Sequence, residues 1–462
     1  MAEQAEYIII RLDISGEHIG GELAEASHDV IGIERALVGG ECPYWGCLPS
    51  KRMIRAANLL AEARRIPGVA GDSSVTADFA PVMLRIREEA TDHWNDQVAV
   101  DRFTGKGRRF VRGSATITGP RSVEVDGTVY EASKGLVIAT GAGPAIPPIP
   151  SIEDVEYWTN HEATEAATLP ASLIILGGGV IGLELGQAMS RFGTKVSVVE
   201  TLPGLLPQHE PEVGELIAEV FASGGIEIHT NARAERVEKT DIGMKLHLSN
   251  GSTLEAERLL VAAGRKTNLP APGIGAAGLD ESVRFIEVDS RMRAAAGICA
   301  VGDNTGVGAF THLANYQAAI AVANILGQDT HNADYTAVAS VAFTDPEVGA
   351  VGQTEQQARD AGLRICIGRQ QVPHSARGRL HKAGNEDFIN LIEDAEGGVL
   401  IGATSVNPHG GEVLGLLTLA IHAGVSIEEF RRMHFAYPTF HKGAEDALRD
   451  FVAQPVEELA TV

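Results

Sequence analysis

Arg11-Leu12-Asp13-Ile14-Ser15-Gly16 follows a β-branched run, Tyr7–Ile10, and precedes a helical stretch containing Gly20–Ala26. Val30–Glu34 then reads as a second strand that ends in a carboxylate. Strand, tight turn, helix and strand in that order predict a parallel βαβ unit with its turn at the helix N-terminus. In a dinucleotide-binding Rossmann unit the turn is G-x-G-x-x-G. The first glycine makes the turn, the second lets the backbone reach the pyrophosphate, and the third brings the helix close to the strand. Here Arg11 and Asp13 occupy the first two glycine positions, and only Gly16 remains. A carboxylate facing the pyrophosphate costs roughly 1–4 kcal/mol per charge pair at contact distance. The expectation is a Rossmann unit whose site is disrupted, with Arg11 and Asp13 filling the phosphate space as an ion pair. In the competing reading the loop is a working variant and Arg11 is a compensating cation.

A chain of 462 residues exceeds one ordinary core and implies two or three domains. Its formal charge of −23 disfavours nucleic acid and anionic membrane surfaces, leaving small molecules as the expected partners. Met1–Tyr7 lacks the basic region of a signal peptide and no stretch is apolar for long enough to span a bilayer, so a cytoplasmic protein is expected. Four cysteines are too few for a disulfide scaffold, which turns attention to one close pair.

That pair lies in Gly39-Gly40-Glu41-Cys42-Pro43-Tyr44-Trp45-Gly46-Cys47-Leu48-Pro49-Ser50-Lys51, ahead of helically spaced Met53, Ile54, Ala57, Leu60 and Ala63. Two cysteines at i and i+5 near a helix N-terminus are placed for redox work, because the terminus stabilises a thiolate. A zinc site needs two more ligands, and Cys299 and Cys366 form no second short-spaced pair, so no metal is expected. Two buried structural thiols are the other reading.

This string resembles the pyridine nucleotide–disulfide oxidoreductases, the family of dihydrolipoamide dehydrogenase, glutathione reductase and mercuric reductase. The resemblance extends along the chain through Leu136–Gly141, Leu173–Leu176 with Gly177-Gly178-Gly179-Val180-Ile181-Gly182, Glu200, Gly297–Asp303, Phe343–Val348 and Tyr437-Pro438-Thr439. It implies an α/β fold with two Rossmann-like dinucleotide-binding domains and a C-terminal α+β dimerisation domain. The expected bounds are 1–149 with 275–336 for the FAD-type domain, 150–274 for the NAD-type domain and 337–462 for the interface domain. By the same resemblance Gly16, Glu34, Lys51 and Asp303 are the remnant of an FAD site, Asp303 toward the ribityl chain and Lys51 paired with Glu184 beside the flavin. Gly177, Gly179, Gly182 and Glu200 form a possible NAD site. Glu200 accepts a ribose 2′-hydroxyl but repels a 2′-phosphate, which favours NADH.

The C-terminal stretch departs from the family. Dithiol-acting relatives carry H-P-x-x-x-E, whose histidine and glutamate activate the thiol; here Tyr437 and Lys442 hold those positions. A tyrosine near pKa ~10 is a poor base at neutral pH. Lipoamide dehydrogenase activity is therefore not expected, and Ala460-Thr461-Val462 lacks the terminal cysteine pair of mercuric reductases. These departures, with Arg11 and Asp13, predict a homodimer that has lost FAD and redox activity. The vacated cavity would then serve cofactor-independent cyclisation or rearrangement of an apolar metabolite in secondary metabolism, with Tyr437, His441 and Lys442 as polarising groups. The alternatives are an FAD- and NADH-dependent disulfide oxidoreductase acting through Cys42 and Cys47 on a substrate other than lipoamide, and a non-catalytic dimeric binding protein.

Overall fold

The computed structural model describes residues 2–453, so Ala460-Thr461-Val462 and the inference drawn from them lie outside the described residues. Strand β1 (Glu3–Ile10) closes on the apolar run Ile8-Ile9-Ile10, buried on both faces as central parallel strands are. Helix α1 (Ile14–Glu25) starts immediately after the turn. Asp13 is its N-cap, accepting hydrogen bonds from the Gly16 amide at 2.9 Å and the Ser15 hydroxyl at 2.7 Å. Strand β2 (Val30–Glu34) is buried throughout and pairs in parallel with β1, Ile10 opposite Ile33. Helices α2 (Glu41–Tyr44) and α3 (Cys47–Arg65) carry the cysteine pair.

The strand Thr128–Ile138 lies on the other side of β1 and itself pairs with Ile298–Ala300, so a distant part of the chain returns to complete this eight-stranded sheet. Between them lies a second sheet of five strands, built on β3 (Ser172–Leu176), helix α4 (Val180–Arg191) and β4 (Lys195–Val199). Helix α5 (Thr311–Ile325) packs against α1. The chain finishes in a largely antiparallel six-stranded sheet whose central strands are Glu347–Gly352, Val399–Asn407 and Phe388–Asp394.

The two nucleotide-type turns have the same internal construction. Arg11 takes the left-handed φ of 75° where its counterpart Gly177 has 109°. A non-glycine residue pays ~1–2 kcal/mol for that conformation. The Leu12 and Ala36 amides donate to Glu34 at 2.9 and 2.8 Å, and the Gly178 and Leu202 amides donate to Glu200 at 2.7 and 2.8 Å. Arg11 and Asp13 do not pair as expected: the Arg11 Nε lies 3.2 Å from Glu34, and Asp13 is turned to the start of α1. At the third glycine the helix touches the turn, since a Cβ on Gly16 would sit 2.2 Å from the Arg11 carbonyl oxygen. Gly16→Ala is therefore expected to destabilise the fold by about 3 kcal/mol, the upper part of the overpacking range. An unchanged urea midpoint would refute this close approach.

Candidate active site

The turns after β1 and β3, the junction of α2 and α3 and the start of α5 line one half-open cleft of ≈ 3370 Å³. A pocket for one drug-sized ligand measures ~300–1,000 Å³, so this cleft has room for two dinucleotide-sized molecules.

The dithiol sits where two helices begin. α3 starts at Cys47 and α5 at Thr311, and the Cys47 sulfur lies 3.6 Å from the Thr311 hydroxyl. Cys42 and Cys47 are free thiols in hydrogen-bond contact. Donation from Cys42 draws the Cys47 thiol down to about 6; Thr311 and the Lys51 charge add to this, and burial opposes it. The same contact, together with burial, pushes Cys42 well above the usual thiol range.

Lys51, one helical turn into α3, reaches Glu184 on α4 at 2.7 Å and lies 4.7 Å from the centroid of the Phe343 ring. The other Glu184 oxygen accepts from the Phe343 amide at 2.8 Å. At the far end of the same helices, Asp345 accepts from Arg65 of α3 at 2.8 Å and from Arg191 of α4.

A second charged group lines the cleft beyond Cys42. Glu41 meets His161 at 2.6 Å and Asn160 at 2.9 Å, and Arg265 lies 3.7 Å from Glu41 and 3.5 Å from Asp303. Burial would raise Glu41, but the His161 hydrogen bond and the Arg265 charge outweigh it and hold the carboxyl low. Burial raises Asp303 against the pull of Arg265. The Trp45 and His161 rings stack 4.2 Å apart and 4° from parallel. Sequence reasoning missed Arg265, Glu41, His161 and Thr311. Their only linear signals are a glycine-arginine pair after a strand and a helix-opening threonine.

The cleft brings together Cys42, Cys47, Lys51, Glu184, Asp303, Gly177, Gly179, Glu200, Arg11 and Asp13. Glu34 and Gly16 stand behind it, holding the turn and the helix. Tyr437, His441 and Lys442 are elsewhere on the chain. Tyr437 is 71% exposed, His441 lies 3.4 Å from the Thr439 hydroxyl, and Lys442 is tied to Glu445 at 2.8 Å and Asp446 at 3.3 Å. The Glu445 partnership raises the Lys442 ammonium, which stays charged and is no base at neutral pH.

The residues along the first half of the cleft fit FAD. Arg11 and Arg265 bring guanidinium groups to a diphosphate, Asp303 is an acceptor for hydroxyls, and Gly141 takes a left-handed turn with open space where a Cβ would stand. Asp13 is the residue of this turn that opposes an anion. Gly179, its counterpart in the second turn, likewise has nothing within 4 Å of a Cβ.

Residues 14–323 match the pyridine nucleotide-disulphide oxidoreductase family and residues 338–448 its dimerisation domain. The chain is 32% identical to a dihydrolipoyl dehydrogenase from Thermus scotoductus over 94% of this chain and 95% of that protein. It is 30% identical to a mercuric reductase from Bacillus cereus over 96% of this chain and 71% of that protein. The solved Cu(II) complex of the HOCl-induced flavoprotein disulfide reductase RclA from Escherichia coli superposes with a TM-score of 0.86 at 25% identity, covering 97% of this chain and 99% of that one. These likenesses to oxidoreductases, which run nearly the whole length of this chain, overturn the expectation of a cofactor-free cyclase or isomerase in secondary metabolism. They favour FAD with a nicotinamide nucleotide over no cofactor. The physical reason lies in the first turn, where Arg11 adopts the glycine conformation and Asp13 caps the helix, so the motif is altered while the loop keeps its shape. Within the one chain described, the lining of the cleft includes none of Tyr437, His441 and Lys442. The chain belongs to the pyridine nucleotide-disulphide oxidoreductase family.

Proposed function

We propose that the protein is an FAD- and NADH-dependent disulfide oxidoreductase that uses Cys42 and Cys47 on a small-molecule substrate other than lipoamide. The observation that carries this reading is the contact of Cys42 with Cys47 at the convergence of two helix starts, beside Lys51, which draws the Cys47 thiol down. FAD, when bound, supplies the two-electron relay between a nicotinamide hydride and the dithiol.

Cys47 is held as a thiolate, and Cys42 keeps its proton in the contact between them. The Cys47 thiolate is thus the base nearest to Cys42. Once its proton passes across, Cys42 attacks one sulfur of a substrate disulfide, and the departing thiolate takes that proton from Cys47 and leaves as the first thiol, so that Cys47 is a thiolate again. Cys47 then attacks the Cys42 sulfur of the mixed disulfide, releasing the second thiol and closing the Cys42–Cys47 bond. Two electrons from NADH reopen it. Dihydrolipoamide oxidation demands a base for the substrate thiol, and Tyr437 with the ion-paired Lys442 supplies none.

For the nucleotide, both Glu200 oxygens already accept backbone amides, which fixes a carboxylate at the end of β4. A ribose hydroxyl can still donate to it, whereas a 2′-phosphate meets like charge. Homodimerisation through the C-terminal domain belongs to the proposal. Among the described residues no helix is long and apolar enough to cross a membrane.

Purified protein is expected to be yellow and to reduce an aromatic disulfide such as 5,5′-dithiobis(2-nitrobenzoate) with NADH. Cys42→Ser is expected to lower that rate by at least about a hundredfold while FAD stays bound; an unchanged rate rejects the exchange thiol. Iodoacetamide labelling of Cys47, followed by mass spectrometry, is expected to reach half its maximal rate near pH 6. Labelling that rises only above pH 8 would remove the thiolate from the argument. NADH is expected to exceed NADPH in kcat/KM by about tenfold or more, and Glu200→Ala to narrow that ratio. Equal use of the two nucleotides by the unaltered protein contradicts the assignment.

A further inference from the structure

Asp13 lines the cleft at the first turn, and among the described residues it has no cationic partner. Its counterpart Gly179 has open space where a Cβ would stand, while here a carboxylate occupies the corresponding place. One Asp13 oxygen accepts from the Gly16 amide and the Ser15 hydroxyl, so the start of α1 already has an acceptor. The other oxygen faces Gly302, 3.6 Å from where a Cβ on that glycine would sit.

The charged groups around it are committed elsewhere. From its own turn, Arg11 goes to Glu34 of β2. Beyond the strand Ile298–Ala300, Asp303 is tied to Arg265, and Arg265 also approaches Glu41, which His161 holds from the second sheet's side. Among the described residues no lysine, arginine or histidine forms an ion pair with Asp13. Two neighbouring carboxylates, Glu34 and Asp303, add negative potential. An ionised Asp13 next to a diphosphate is therefore a like-charge pair, and the two guanidinium groups of this part of the cleft, Arg11 and Arg265, are already shared with Glu34, Glu41 and Asp303 rather than paired with Asp13. A neutral Asp13 carries an O–H that donates to a phosphate oxygen, a charge-assisted hydrogen bond.

We propose that Asp13 makes cofactor binding proton-linked: the carboxyl must be neutral for the diphosphate to bind, so FAD is taken up with one proton. This rests on the flavoprotein reading above. Burial, the largest cause, already raises the Asp13 carboxyl to about 6, with Asp303 and Glu34 adding to it and the Gly16 and Ser15 hydrogen bonds opposing it. The cofactor is thus held in acid and loosened as pH rises through neutrality.

The test is equilibrium dialysis of the FAD-loaded protein between pH 5 and pH 8.5, reading retained flavin by absorbance and folding by circular dichroism. The FAD dissociation constant is expected to be level below about pH 6 and to rise about tenfold per unit above it, reaching about a hundredfold between pH 5 and pH 8. Asp13→Asn, which keeps a capping oxygen and cannot ionise, is expected to abolish the slope. Asp13→Gly is expected to abolish it and bind more tightly than the unaltered protein at pH 8. A dissociation constant equal at pH 5 and pH 8, or a slope that survives in Asp13→Asn, overturns the role of Asp13 while leaving the flavoprotein standing. Protein that holds no FAD at any of these pH values overturns the flavoprotein reading itself.

Discussion

A buried carboxylate at the end of a strand holds each nucleotide-type turn in place. Glu34 is fully buried and takes two backbone amides, one from the turn after β1 and one from the segment after β2, with the Arg11 guanidinium alongside. Hydrogen bonds to an ionised acceptor are about twice as strong as neutral ones, and stripping a buried carboxylate of its partners costs ~3–5 kcal/mol. That clamp is strong enough to keep Arg11 in a left-handed conformation. Glu200 repeats the device with an intact glycine turn, which shows what the first turn has preserved.

The order of strands and helices, the place of the dithiol and the family were legible because each rests on local patterns: a β-branched run, a cysteine spacing, a glycine-rich turn. The state of the first turn was not legible in the same way. Counting glycines records which residues relieve backbone strain, whereas the bond that holds this turn reaches 22 residues along the chain from Leu12 to Glu34. Asp13 reads as an obstacle in the sequence and is a helix cap in the structure. Both descriptions hold, since a cap and a phosphate compete for the same amides.

The polar lining beyond Cys42 was hidden for a different reason. Glu41, His161, Arg265 and Asp303 come from four separated stretches and meet only because two sheets face one cleft. Tyr437, His441 and Lys442 show the converse. They are close in sequence to a family motif, and within the one chain described they meet Thr439, Glu445 and Asp446 or solvent.

Glu184 and Asp345 give the molecule a mechanical property. One joins α3, α4 and the Phe343 backbone; the other joins the far ends of the same two helices through Arg65 and Arg191. The two helices are therefore pinned at both ends and behave as a single strut between the dithiol and the nicotinamide-type turn. A strut fixes span. The separation of the dithiol from that turn is set when the chain folds, and sliding one sheet past the other would first have to break four charged or charge-assisted contacts.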